Sequence, residues 1–214
     1  MPKSTFFNLP EDKKERILGA TIDEFAENSY QNASINKIVK KSDIAKGSFY
    51  QYFENKKDLF KYVLEICEER KISYVEKAIE DIEYLDYFEI IRRIYIAFME
   101  FSIENPKLSF IINELLKSND TELKNEVLED VLSKSNSIFN KVLERGLQNG
   151  NINPNLNIEL LGNLMSHMGV FVREYVHKDS LRDYSGLVDE VVNILENGIK
   201  FRKRSNRSIE DRFY

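Results

Sequence analysis

Apolar residues return at helical intervals over most of this chain. Leu18, Ile22, Phe25 and Ala26 fall at i, i+4, i+7 and i+8, one face of a helix. That helix is predicted to start at Pro10, where proline suits the first turn and Glu11 and Asp12 suit the positive end of the dipole. Asn28-Ser29 reads as its stop. Ser34 is placed to cap a short second helix to about Lys41, burying Ile35, Ile38 and Val39. Ser42-Asp43-Ile44 breaks it, and a third short helix covers about Ala45 to Tyr52. Asn55 caps a fourth, with Leu59, Val63 and Ile66 on one face, running to about Asp81. Further helices are predicted at about 84–104, 107–117, 121–149, 156–178 and 186–203, with Pro106 and Pro154 at the breaks. In the last of them Val188, Val191, Val192, Leu195 and Ile199 form a stripe.

Composition adds that the fold class is all-α. The 214 residues hold 8 glycines and 4 prolines, and no series of alternating β-branched runs bounded by turns appears. An apolar fraction of 42%, with 14 Phe and 11 Tyr, is enough for a real core and excludes wholesale disorder. The single cysteine, Cys67, excludes an intrachain disulfide and a cysteine-based zinc cluster. No apolar run approaches the ~18 residues of a membrane span. The first residues, MPKSTFFNLPEDKKER, lack the apolar stretch of a signal peptide, so the expected location is a reducing cytoplasm, with no membrane partner.

Charge singles out one segment. The chain carries a formal net charge of −5, yet residues 33–57 hold six cations (Lys37, Lys40, Lys41, Lys46, Lys56, Lys57) against Asp43 and Glu54, a local +4. An anion-binding surface on an acidic body fits this asymmetry, as does a solvated lysine-rich face. The residues decide between them. In SINKIVKKSDIAKGSFYQYFENKKDL (34–59), two short helices flank a three-residue break, the layout of a helix-turn-helix whose second helix enters the major groove. Ala45-Lys46-Gly47-Ser48 opens that helix with a cation, a glycine and a hydroxyl, a combination suited to a close phosphate. Phe49 and Phe53, at i and i+4, can face the core. Tyr50 then lies elsewhere, available to a thymine methyl or a phosphate.

This stretch resembles the TetR family of bacterial transcriptional regulators. The resemblance rests on Ile44, then Lys46-Gly47-Ser48-Phe49-Tyr50, Tyr52-Phe53 and Asn55-Lys56-Lys57-Asp58-Leu59, with Ile17-Leu18-Gly19-Ala20 and Phe25-Ala26 upstream. It is specific over about residues 10–62 and rests beyond them on length and helical texture. Three positions depart from the family pattern: Ser29 and Asp43 stand where glycine is frequent, and Ala45 where a capping Ser or Thr is common. Asp tolerates a left-handed backbone. The resemblance implies a three-helix helix-turn-helix DNA-binding domain (1–54) and a helical ligand-binding and dimerisation domain (55–214). It implies that Ser34 and Asn36 lie at the DNA and that Lys46, Gly47 and Ser48 sit against its backbone. Phe49 and Tyr50 would approach bases, Gln51 suits adenine, and Tyr52 and Lys56 would bind phosphate.

In the 156–178 helix, Gly162, Ser166 and Gly169 stack as small residues beside an apolar face with Met165. Small residues permit close helix approach. Pairing this helix and the 186–203 helix with a second copy across a two-fold axis gives a four-helix interface. Gly162, Met165, Ser166, Gly169, Val188, Val191, Val192, Leu195 and Ile199 are its expected members, intrachain packing being the alternative. The resemblance implies the same homodimer and a small-molecule effector. Aromatics crowd the middle helices, so the effector is expected to be hydrophobic. Tyr87, Tyr95, Phe98, Phe110, Asn113, His167, Phe171 and Arg173 are its candidate contacts.

An enzyme is not indicated. There is no glycine-rich phosphate loop and no strand-turn-helix serine motif. The two histidines, His167 and His177, are spaced so that they do not share a helix face. No metal or cofactor is expected. The cations Lys200, Arg202, Lys203, Arg204 and Arg207 suit the negative end of a helix dipole, nucleic-acid binding being the alternative. The expected function is thus a ligand-responsive regulator, foremost a repressor, that binds a palindromic double-stranded operator as a dimer and is released by its effector. As a bacterial cytoplasmic protein it would join the nucleoid when bound. The competing class is an all-helical cytoplasmic binding protein without specific DNA binding.

Overall fold

The computed structural model describes residues 2–175 and 184–199, and for 84, 128–136, 170 and 172–175 the backbone alone. The described residues form helices with no strand. In order these are α1 (Ser4–Phe7), α2 (Glu11–Asn32), α3 (Ile35–Lys41), α4 (Lys46–Tyr52) and α5 (Lys56–Ala78). After a 3-10 turn at Ile82–Tyr84 come α6 (Tyr87–Glu104), α7 (Pro106–Lys117), α8 (Thr121–Gln148), α9 (Ile158–Tyr175) and α10 (Tyr184–Ile199).

Local chemistry explains most boundaries. Asn55 Oδ1 accepts from the Asp58 amide at 2.9 Å, and the Asp58 carboxylate accepts from the Glu54 amide at 3.1 Å. This reciprocal pair opens α5 much as a capping box does. Asp86, Asp120 and Asn157 accept from the amides of Phe88, Leu123 and Leu160, each at 2.9 Å, and open α6, α8 and α9. Pro106 is the first residue of α7. Gly150, at φ 69°, follows the end of α8 in the left-handed region that glycine enters without strain.

Three expectations need correction. Ser34 precedes α3, but its side chain makes no cap; the Ser34 amide instead donates to Glu24 Oε1 at 2.9 Å. Ile66 is only half-buried, because Leu64 and Cys67 take the inward positions on α5. The chain also forms α1, whose four residues are too few to show a period; its Phe6 is fully buried.

Two cores result, and α5 belongs to both. Leu59, Phe60, Val63, Leu64 and Cys67 join α1–α4 and α7 in the first. Val75, farther along α5, joins α6, α8, α9 and α10 in the second. Each apolar side chain so buried contributes roughly 1.5–3 kcal/mol.

The expected dimer face is the second core. Val188, Val191, Val192, Leu195 and Ile199 are buried within this chain, as is Met165. The Tyr95 hydroxyl donates to the Met165 carbonyl at 2.9 Å. Gly162 and Gly169 serve close approach, but to this chain's own helices. A Cβ on Gly162 would stand 2.5 Å from Asn140 Oδ1 of α8, and one on Gly169 would stand 3.2 Å from the Phe98 ring of α6. Ser166 turns its hydroxyl back to the Gly162 carbonyl at 3.0 Å. Among the described residues, the large apolar side chains that α9 and α10 leave exposed are Leu160, Leu164, Phe171 and Ile194.

Candidate nucleic-acid interface

The break between α3 and α4 is built from side-chain and backbone bonds. Ser42 is buried and donates to the Ile38 carbonyl at 2.7 Å. The Ile44 amide donates back to Val39 at 3.0 Å. Between them Asp43 has φ 52°, which reverses the chain within a residue. Buried Glu24 of α2 holds the start of α3 through the Ser34 amide and lies 3.8 Å from the Lys37 ammonium.

Helix α4 divides its side chains in two. Phe49 is fully buried, Tyr52 is buried with its ring edge to Phe6, and the adjoining Phe53 is fully buried. Lys46, Gly47, Tyr50 and Gln51 are exposed, Tyr50 at 45%. Ser48 is half-buried, and Asn36 is exposed on α3. Nothing lies within 4 Å of where a Gly47 Cβ would stand. No close packing inside the chain therefore calls for glycine there.

Phe49 is thus corrected from a base contact to a packing residue, since a fully buried ring that supports α4 cannot also read DNA; the Tyr52 ring packs on the same side. Lys56 is corrected as well. Its ammonium donates to the Gln31 and Ala33 carbonyls at 3.1 and 3.0 Å and lies 4.8 Å from the Tyr30 ring centroid. It caps the end of α2, and partial burial lowers its pKa. Lys41 pairs with Asp23 at 2.5 Å, and the same carboxylate takes Lys107 of α7 at 2.5 Å. Lys57 pairs with Glu126 of α8 at 2.6 Å. Lys40 and Lys46 remain exposed without an ion pair among the described residues.

Sequence reasoning missed Lys3 and Thr5, which bond to the backbone of α4. No local signal marks such a contact; only Phe6, apolar beside a polar stretch, hints that this segment is anchored.

The expected effector contacts do not gather at one place. Tyr87 and Tyr95 are buried, which pushes their phenol pKa values up. The Tyr87 hydroxyl and Asn113 Oδ1 are buried without a hydrogen-bond partner among the described residues, and Phe98 packs beside Phe139. Phe110, His167 and Phe171 are exposed and are corrected to surface positions: their helices turn other residues to the core. Arg173, His177 and the cations from Lys200 to Arg207 lie outside the described side chains. A groove of about 760 Å³ instead runs between α5 and α8, with Ile72, Val75, Ile79, Ile82, Ile138 and Val142 as apolar lining and Lys141 and Arg145 as cations. Among the described residues no carboxylate, histidine and cysteine cluster could hold a metal, and no helix is long and apolar enough to cross a membrane.

Residues 17–63 match the family model of bacterial regulatory proteins of the tetR family. Over 71 residues the chain is 32% identical to the fatty acid metabolism regulator protein of Bacillus subtilis, 33% of this chain and 35% of that one. A TetR family transcriptional regulator from Chloroflexus aurantiacus is 28% identical, with a TM-score of 0.68 over 94% of this chain and 100% of its own. The chain is similar to the TetR family, by sequence over residues 17–63 and by fold over most of its length. The structure of FadR from Bacillus subtilis in complex with stearoyl-CoA has the same fold, with a TM-score of 0.71 at 24% identity over 86% of this chain and 98% of that one. Sequence matches to the first curated relatives span little more than a third of those relatives' length. These relatives are transcriptional regulators rather than enzymes.

Within the segment that matches the tetR family model, the two departures from glycine both carry strain. Ser29 has φ 54° and ψ 171°, and Asp43 has φ 52°. Both occupy the backbone region that favours glycine. Ser29 also marks the expected stop of the first helix, which the chain takes as a kink inside α2.

Proposed function

We propose that this chain is a DNA-binding transcriptional regulator, a repressor that binds a palindromic operator as a homodimer and leaves it on binding a small hydrophobic effector. The division of α4 supports this most directly. Its aromatic side binds the helix into the first core, while Lys46, Gly47, Tyr50 and Gln51 face outward. Lys46 suits a phosphate, and the open space over Gly47 lets the DNA backbone approach closely. Tyr50 suits a thymine methyl and Gln51 an adenine edge. Residues 1–54 read DNA, and 55–214 dimerise and sense the effector in the cytoplasm.

The dimer face is the exposed apolar stripe of α9 with Ile194 of α10. Leu160, Leu164 and Phe171 recur at i, i+4 and i+11 with Leu160 at 68% and Ile194 at 67% exposure. Apolar side chains this exposed, on two adjacent helices, mark an interaction surface. A two-fold axis then sets two copies of α4 into successive major grooves, roughly 34–36 Å apart. The effector is an apolar or amphipathic molecule of the kind that FadR of Bacillus subtilis holds, and it acts through different affinities for two dimer shapes.

Selection from a random duplex library tests the reading. The chain is expected to enrich a palindromic sequence, and Tyr50→Ala is expected to cost about 1–3 kcal/mol on it. Failure of the folded chain to enrich any sequence overturns the proposal.

A further inference from the structure

A helix as short as α4 does not stand alone. Closing the first turn is unfavourable, and the last four carbonyls of any helix lack partners within it. In α4 each of the last four has one. The Phe49 carbonyl accepts from the Phe53 amide at 2.9 Å, as a helix end commonly does. The other three are held from the far N-terminal end of the chain. The Lys3 ammonium donates to the Tyr50 carbonyl at 2.8 Å. The Thr5 hydroxyl donates to the Gln51 carbonyl. The Lys3 amide donates to the Tyr52 carbonyl at 2.8 Å.

This segment is itself held in place. Phe6 is fully buried, with its ring centroid 4.9 Å from Phe53, 5.4 Å from Tyr62 and 6.3 Å from Tyr52. The Lys3 cation also meets the negative end of the α4 dipole. The two residues whose carbonyls Lys3 and Thr5 side chains hold, Tyr50 and Gln51, are the two whose side chains project outward beside the Lys46-Gly47 turn.

We propose that Lys3 and Thr5, anchored by Phe6, are positioning residues for sequence reading: they hold the backbone of Tyr50 and Gln51 and so set both side chains against the bases. They act through α4 and not by touching DNA. The proposal rests on the DNA-reading function above.

The test compares the wild-type chain with Lys3→Met/Thr5→Val, which keeps approximate side-chain size while removing both side-chain donors. Lys3 and Thr5 are exposed, so the substitutions open no cavity. The probes are the duplex that the wild type enriches from a random library and an unselected random duplex. Affinity for the enriched duplex is expected to fall about tenfold, with discrimination blurred at the base pairs that Tyr50 and Gln51 read. Affinity for the random duplex should stay within about twofold, with the same salt slope. Mere loss of folded protein would weaken both duplexes alike and leave their ratio unmoved. Lys3→Arg/Thr5→Ser, which keeps both donors, should restore the ratio. An unchanged ratio in the Met/Val variant overturns the proposal. So does a salt slope lowered by about 1 with equal weakening on both duplexes, which would make Lys3 a phosphate contact. A wild type that enriches no duplex overturns the DNA-reading function and this proposal with it.

Discussion

The Lys56 ammonium lies 4.8 Å from the centre of the Tyr30 ring and bonds to the carbonyls of Gln31 and Ala33. A lysine expected at a phosphate instead closes the end of α2 just after its kink. Lys56→Met removes two charge-assisted bonds and a cation–π contact. It is expected to lower unfolding free energy by about 1–3 kcal/mol. The salt slope of binding to random duplex should stay unchanged; a slope reduced by about 1 would return Lys56 to the DNA.

Beside it, Ser29 holds φ 54° and ψ 171°, a conformation that costs a side chain on the order of 1–3 kcal/mol. Ser29→Gly should therefore stabilise the fold by about 1 kcal/mol in chemical denaturation, in spite of glycine's greater freedom when unfolded. A loss of stability would show that the kink is unstrained.

Gly47→Ala separates folding from binding. The new methyl meets nothing within 4 Å, and alanine favours helix by up to about 1 kcal/mol. Thermal stability should hold or rise while affinity for the enriched duplex falls. Undiminished affinity would mean that no partner comes close to this turn.

Two substitutions on one helix distinguish the faces of α9. Leu164→Glu places a charge on an exposed apolar stripe and is expected to give folded monomers in sedimentation. Gly169→Leu drives a side chain toward Phe98, which already lies 3.2 Å from the Cβ position. It should destabilise the monomer itself by about 1–3 kcal/mol. Folded monomers from Gly169→Leu, with Leu164→Glu still dimeric, would reverse the assignment.

The Asp23 carboxylate joins α3 to α7 by taking Lys107 and Lys41 together. These two hydrogen bonds hold its pKa below the ordinary carboxylate value of 3.8. A depressed folded pKa means that the contribution is complete above the unfolded value and is lost as pH falls through the lower folded one. Wild type and Asp23→Asn should therefore differ most near neutral pH, converge below about pH 4, and converge also at high salt. A difference independent of pH would assign the role of Asp23 to packing.

Most helices and the Asn55 cap were legible because their causes are local. Asn55 and Pro106 act within a turn of where they stand, and the 3.6-residue period needs only neighbours in sequence. The helix-turn-helix was legible for the same reason: Lys46-Gly47-Ser48 and Tyr50 form one short segment. Tertiary structure decided which faces were used. On α9, Leu161 and Met165 form one apolar row and Leu160, Leu164 and Phe171 another, and periodicity alone cannot rank them. The approach of Gly162 to Asn140 and of Gly169 to Phe98 turns the first row inward. Tertiary structure likewise decided that Lys56 caps α2, and that Lys3 and Thr5 hold a helix more than forty residues away. A side chain's chemistry says what it can bond to, but packing between distant segments determines which partner comes within reach.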